Sequence, residues 1–354
     1  MNNLKRILVT GGAGFIGSHT CLVLLEKGYE VIVIDSYVNS YKKSLDRVVQ
    51  ILKLNKEIKS VNIKIVKIDI RDEKSLDKLF FEYQSSGKPI EAVIHFAGLK
   101  SVKDSVANPL QYWDVNVNGT INLLRVMSKY KCKTIVFSSS ATIYGLSNNR
   151  PLKENTEIKP INPYGRTKVA IEQLLNDAYD SQPNEWKVAN LRYFNPIGSH
   201  TSGMIGEASI GIPNNIFPYI NQVAAGILEK LTVFGKDWPT LDGTGIRDYI
   251  HVMDLAEGHI SALEYLKENG NQIINLNLGT GKGTSVLELV DTFQRVNNIN
   301  ISIEFTSRRI GDSCTVIADN NLAVSLLRWS PRRNLEEMCI DGWKWQSLNP
   351  KGYK

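Results

Sequence analysis

A chain of 354 residues with 42% apolar content and a net charge of +6 can bury one large core or two. No stretch reaches the roughly 18 continuous apolar residues of a membrane helix. Nothing at the start reads as a secretory signal, because the short run Ile7-Leu-Val9 ends at once in glycine. The positive excess sits in lysines between Lys42 and Lys67, mixed with acids and apolar residues. That mixture suits solvated helix faces and excludes a basic nucleic-acid stripe. The four cysteines, Cys21, Cys132, Cys314 and Cys339, stand singly, and so do the five histidines. Neither a disulfide framework nor a metal motif is expected, and a reducing cytosol is the expected location.

In chain order, residues 4–10 form an apolar run that ends in glycines. Residues 15–27 have helical periodicity, and Gly28 follows as a stop. Strands are expected at 30–34, 61–68, 91–95, 133–137 and 187–192. Helices are expected at 42–54, 73–83, 109–130 and 164–179. Short apolar strands alternating with helices predict an α/β fold with a doubly wound, Rossmann-type parallel sheet. After Asn195 the pattern breaks, and Gly, Pro and Asn become frequent. Helices are expected there at 216–229, 252–266 and 285–296, with strands at 231–234 and 301–305. The expected division is a dinucleotide-binding domain over 1–194 and a smaller α/β substrate-binding lobe over 195–354, with some segments exchanged between them.

Thr10-Gly-Gly-Ala-Gly-Phe-Ile-Gly17 lies between the first strand and the first helix. Glycines at Gly11, Gly14 and Gly17 let a pyrophosphate approach backbone N–H groups at a helix N-terminus. Asp35 ends the second strand, at the offset expected of a carboxylate on an adenosine ribose. An acid there accepts a 2′-hydroxyl and repels a 2′-phosphate, which favours NAD over NADP. Asp69-Ile70 suits either an adenine pocket or a plain strand-end cap. Tyr164 and Lys168 are four residues apart, on one face of the expected helix. Taken alone, the commoner meaning of that spacing is a tyrosine packed on a lysine stem. As a functional pair, the ammonium would lower the phenol pKa and make it a working acid or base. Ser138-Ser-Ser140 ends a central strand, where ligands meet an open parallel sheet, although a serine run there also suits a polar turn.

With these motifs in order, the chain resembles the extended short-chain dehydrogenase/reductase family, and within it the UDP-hexose 4-epimerases. The resemblance spans nearly the whole chain. It includes His95-Phe-Ala-Gly-Leu-Lys100, Asn116-Val-Asn-Gly119, Leu191-Arg-Tyr-Phe-Asn-Pro196, Ile212-Pro-Asn-Asn215, Arg247-Asp-Tyr-Ile-His-Val-Met-Asp254 and Arg308-Arg-Ile-Gly-Asp312. It implies NAD-dependent, reversible epimerisation at C4 of UDP-glucose and UDP-galactose through a 4-keto sugar. Tyr164 would take the proton of the 4-hydroxyl, Ser140 would bond the 4-oxygen, and Lys168 would hold the nicotinamide ribose. For the cofactor it further implies Phe15, Ile16, Asn39, Ser40, Asp69, Ile70, Phe96, Ala97, Gly98, Lys100, Asn116 and Tyr193. Around the sugar it implies Lys100, Ala141, Thr142, Phe194 and Val316. For the diphosphate and uridine it implies Asn195, Asn214, Asn215, Ile216, Val233, Phe234, Gly235, Arg247, Arg309 and Asp312. It also implies a homodimer formed through the helices at 109–130 and 164–179.

Val316, four residues after Asp312, stands where the family places a residue beside the C2 substituent of the sugar. A small side chain there implies that UDP-N-acetylhexosamines are accepted too. Several rivals remain. A nucleotide-sugar 4,6-dehydratase shares the fold, the NAD and the Tyr/Lys pair. Such enzymes carry Asp-Glu directly after the threonine, whereas Thr142 is followed by Ile143-Tyr144. A uronate epimerase or decarboxylase would need a site for a C6 carboxylate. A non-catalytic NAD-sensing module commonly loses the tyrosine or lysine, and both stand here. A serine hydrolase lacks its Gly-x-Ser-x-Gly elbow.

Overall fold

The computed structural model describes residues 6–354 other than 59, 148–150, 209, 212, 214 and 310. Its first half alternates strand and helix: β1 (Arg6–Thr10), α1 (Phe15–Glu26), β2 (Glu30–Asp35), α2 (Lys42–Leu54), β3 (Ile63–Lys67), α3 (Glu73–Ser85) and β4 (Ala92–His95). Then come α4 (Val102–Ala107), α5 (Pro109–Tyr112), a π-helical turn (Trp113–Asn118), α6 (Gly119–Lys129), β5 (Thr134–Ser140), α7 (Pro163–Ser181) and β6 (Lys187–Tyr193). The second half comprises β7 (Asn195–Ile197), α8 (Ile216–Ala224), β8 (Leu231–Phe234), β9 (Ile246–Arg247), β10 (Tyr249–His251) and α9 (Val252–Glu268). It continues with β11 (Gln272–Leu278), β12 (Thr284–Ser285), α10 (Val286–Asn297), β13 (Ile303–Thr306), β14 (Thr315–Val316), α11 (Asn321–Leu327) and α12 (Leu335–Leu348).

Seven strands form one sheet in the order β11-β6-β5-β4-β1-β2-β3, and every neighbouring pair is parallel. Side chains alternate across a strand, so Ile7 and Val9 join the core under α1, α2 and α9, while Leu8 joins the core under α3, α6 and α7. Both faces of the central strands are covered, which is why β1, β2 and β4 are built around apolar runs. The register Thr10↔His95 sets the carboxyl ends of β1 and β4 level, at the point where strand order reverses. The smaller lobe has a separate core, including Phe217, Ile220, Val233, Leu289, Phe293 and Met338. Two elements from beyond residue 195, α9 and β11, lie on or in the large sheet.

Several elements depart from the sequence reading, which also lacks α11, α12 and the short strands β7, β9, β10, β12 and β14. The helix expected over 109–130 is interrupted by the π-helical turn, and α4 precedes it. The helix expected over 216–229 stops at Ala224, since Gly226 takes φ +68°, a conformation that ends helices. β11 was not anticipated, because Asn275 and Asn277 dilute its apolar pattern. Asn277 is fully buried, where it accepts from the Tyr144 hydroxyl at 2.7 Å and donates to Leu152 O at 2.8 Å.

A buried ion pair ties α7 to the sheet. Arg192 donates from Nε and a terminal nitrogen to both oxygens of Glu172, at 3.0 and 2.7 Å. Both side chains are 5% exposed or less. Ser139 donates to the same carboxylate, and Arg192 also donates to the Tyr144 hydroxyl and Glu154 O. Glu172→Gln leaves the guanidinium charge in the interior, at an expected loss of about 3–5 kcal/mol in stability. Urea unfolding checks this, and a variant as stable as the parent would contradict it.

Candidate active site

The carboxyl ends of β1, β2, β4 and β5 open into one cleft. At its base is the glycine turn. A Cβ on Gly11 would lie 2.7 Å from Ala97 N, and one on Gly17 would lie 2.4 Å from Gly11 O, so backbone alone fits there. α1 starts at Gly14 with no side-chain cap, and its first-turn residues Gly14, Phe15, Ile16 and Gly17 line the cleft floor. Uncapped donors at a positive helix end suit an anion.

Asp35 stands at the rim and is nearly buried. It accepts from Ala13 N at 3.0 Å, Tyr37 N at 2.9 Å and the Ser40 hydroxyl at 2.7 Å. A carboxylate has about four acceptor positions, so one is left for a sugar hydroxyl. Tyr37 takes φ +60° to make its bond, a costly conformation for this residue type. Further along, Asn39, Asp69, Ile70 and Arg71 line the cleft, and Asp69 is held by the Arg71 guanidinium at 2.7 Å. Phe96, Ala97, Gly98 and Lys100 form the opposite wall.

Ser40 and Asn116 stand behind the wall and position it. Ser40 holds Asp35. Asn116, in the π-helical turn, accepts from Leu99 N at 2.7 Å and donates to Leu99 O at 3.1 Å and the Thr167 hydroxyl at 3.1 Å. These bonds pin the Lys100 loop to α7. π-turns of this kind recur at functional sites.

Tyr164, Lys168, Ser138 and Tyr193 close the inner end. α7 begins at Asn162, whose side chain accepts from Gly165 N at 2.8 Å, with Pro163 in the first turn. This start sets Tyr164 and Lys168 on the face toward β5. Lys168 Nζ donates to Ser138 O at 2.6 Å and lies 4.8 Å from the Phe137 ring centroid. Thr142 donates from N and Oγ1 to Ser140 Oγ at 3.2 and 2.9 Å, leaving the Ser140 proton for a group opposite. The Tyr193 hydroxyl bonds His259 Nε2, and Phe96 packs 4.7 Å from the same imidazole.

The electrostatics differ from the sequence expectation for Tyr164. Burial pushes its phenol up to about 12, and the Ser140 hydrogen bond opposes that only in part. Burial also brings Lys168 down to about 7, with the Glu172 carboxylate acting in the other direction. Burial is therefore the reason why the phenol is not activated in the ligand-free chain, and the same burial weakens the lysine charge beside it.

The second group of expected residues converges beyond Ser140. Ala141, Phe194 and Val316 pack in one apolar cluster. Val316 pairs with Arg247 across β14 and β9, and Arg247 is bonded to Asp312 at 2.7 Å. Arg309 lies 3.6 Å from the Phe234 ring centroid, beside Gly235. Asn195 opens β7. Asn215 precedes α8 without capping it. Val233 and Ile216 turn their side chains into the core of the smaller lobe. Asn214 lies outside the described residues. The cleft also contains Arg71, Tyr112 and Glu207, which sequence reasoning missed. Arg71 adjoins Asp69-Ile70, a signal that could have found it, whereas Glu207 lies in an irregular segment with no motif of its own.

A family profile described as GDP-mannose 4,6 dehydratase matches residues 8–341. A UDP-glucose 4-epimerase from Bacillus subtilis is 51% identical over 348 residues, covering 98% of each chain. The chain belongs to the UDP-glucose 4-epimerase family of extended short-chain dehydrogenase/reductases. Among solved members of that family, the UDP-glucose 4-epimerase of Stenotrophomonas maltophila, with bound NAD and formylated UDP-arabinopyranose, superposes with a TM-score of 0.92. It is 44% identical, with 98% of this chain and 99% of that one covered. The Bifidobacterium longum epimerase, in complex with NAD+ and UDP, gives 0.91 at 42% identity, covering 98% and 100%.

The buried lysine has a consequence for stability. Its folded pKa, about 7, lies below the ordinary 10.5. Between those values the unfolded chain binds more protons, so stability rises with pH across that window. Urea midpoints of NAD-free protein should climb between pH 7 and 10, and Lys168→Met should remove much of the climb. A parallel pH dependence in the two proteins would contradict the assignment.

Proposed function

We propose that this chain catalyses the reversible inversion of UDP-glucose and UDP-galactose at C4, with NAD as its resident cofactor. The observation that carries this reading is the meeting of Ser140, Tyr164 and Lys168 at the inner end of the dinucleotide cleft, next to the arginine-bearing second group. The uncapped start of α1 would hold the pyrophosphate and Asp35 a ribose hydroxyl, while Lys168 would hold the second ribose. NAD, when bound, supplies reversible hydride acceptance.

Tyr164 would take the proton of the 4-hydroxyl, and Ser140 would hold the 4-oxygen. The ligand-free Tyr164 is protonated at neutral pH, so catalysis needs added positive charge beside it. Lys168 is the chain's own supply. Arg247 and Arg309 suit the diphosphate, because a guanidinium fork binds two oxygens at once. The uncapped start of α8, at Asn215, adds a second helix end for the same anion. Anchoring at the nucleotide leaves the keto sugar free to turn and present its other face.

Elimination as in a 4,6-dehydratase is disfavoured by burial as well as by sequence. Ile143 and Tyr144, which follow Thr142, are 1% exposed or less in an apolar cluster and bring no carboxylate to the sugar. A sensing module has no need of the intact Ser/Tyr/Lys set. Val316 is partly buried against the cluster that contains Phe194, and its small side chain would leave room for an N-acetyl group at C2. A homodimer fits the exposed Val102, Val106, Leu110 and Trp113 along α4, α5 and the start of the π-helical turn. The free cysteines suit a reducing cytosol.

Incubation of purified protein with UDP-galactose, without added NAD, should give UDP-glucose by proton NMR. A 4-keto-6-deoxy product would refute the reading. Tyr164→Phe should lower kcat by about 10²-fold or more with the fold retained, and near-parental turnover would remove Tyr164 from its role. Val316→Tyr should abolish turnover of UDP-N-acetylgalactosamine while sparing UDP-galactose. Equal effects on both would show that Val316 does not face C2.

A further inference from the structure

Residues 200–208, between β7 and α8, form a strap that reaches from the smaller lobe to the cofactor cleft, where Glu207 and Ala208 join the wall. The back of the strap is fastened at several points. The Tyr353 hydroxyl accepts from Gly206 N at 3.0 Å and donates to Gly206 O at 3.2 Å. Trp345 Nε1 donates to Glu207 O at 3.0 Å, and Asn349 donates to Gly203 O at 2.9 Å. Arg47, from α2, donates to Met204 O at 2.9 Å and lies over the rings of Trp345 and Tyr353.

The front of the strap makes one charged contact across the cleft: Glu207 Oε1 accepts from Lys100 Nζ at 3.0 Å. The Glu207 side chain is 11% exposed, and that of Lys100 is 52% exposed. Asn116 fixes the backbone before Lys100, and the C-terminal segment fixes the backbone at Glu207. Neither side can drift toward solvent with its partner, so the pair bridges two anchored pieces of chain. We propose that Glu207 is a positioning residue, which through Lys100 fastens the strap across the dinucleotide cleft and slows cofactor release. The proposal rests on the NAD reading above. It explains how an enzyme that regenerates its cofactor each turn keeps it between turns.

The test compares parent, Glu207→Gln and Tyr353→Phe, each purified by gel filtration without added NAD. Tyr353→Phe loosens the same strap from behind and leaves the ion pair chemically intact. The readouts are the molar ratio of NAD to protein and the rate of NAD release after dilution. The melting temperature of the NAD-free form reports on folding. Glu207→Gln should release NAD roughly two- to fivefold faster, in keeping with one half-exposed ion pair. Tyr353→Phe should follow in the same direction. Raising the salt concentration should speed release from the parent more than from Glu207→Gln, since the variant has no pair left to screen. Release from Glu207→Gln at the parental rate, with the parent carrying NAD, overturns the latch alone. A parent that binds no NAD overturns the cofactor reading and the latch together.

Discussion

The spacing between α7 and the sheet depends on one interior ion pair, Glu172 with Arg192. α7 carries Tyr164 and Lys168, and the strands beneath it carry Ser140 and Tyr193. A shift of one helical residue, about 1.5 Å, would separate the phenol from the serine. The bidentate guanidinium resists such a shift better than apolar packing could, because planar donors and acceptors have one good register. Ser139 joins that pair while Ser138 and Ser140 serve the cleft. The serine run is thus divided between holding the scaffold and, in the proposed reading, meeting the ligand.

The cleft carries features that cost stability. A lysine amine is buried against a carbonyl oxygen, two helix ends are left uncapped, and Tyr37 adopts a left-handed conformation. The buried amine and the left-handed tyrosine are out of place in a purely structural interior, and in the proposed reading a dinucleotide or a diphosphate would meet the amine and the two helix ends. The substrate side differs in one respect. Arg247 already has a carboxylate partner in Asp312, so a diphosphate bound there as proposed would have to compete with it or join it.

The large sheet was legible because its strands are short and apolar on both faces and its helices are periodic. The glycine turn, Asp35 and the Tyr164/Lys168 pair were legible for a related reason: their roles follow from local backbone geometry. What stayed hidden depends on distant partners. Asn277 reads as a break in a strand until Tyr144 and Leu152 satisfy it. Asn116 reads as part of a cofactor wall until its two bonds to Leu99 show it supporting that wall from behind. Glu207 has no motif, and only folding brings it to Lys100, 107 positions earlier. The Tyr164 pKa was misjudged because sequence supplies the neighbouring charge and omits the burial that outweighs it.

The seventh strand of the sheet comes from residues 272–278, long after the sixth. During synthesis the first six strands emerge well before β11, and β6 then presents an unpaired edge of seven residues. Such an edge is a template for pairing with another chain. The nascent protein must hold that edge unsatisfied while about eighty further residues are made. A ribosome stalled in that interval would leave a product with its cofactor turn complete and its sheet open, a natural substrate for chaperones and proteases.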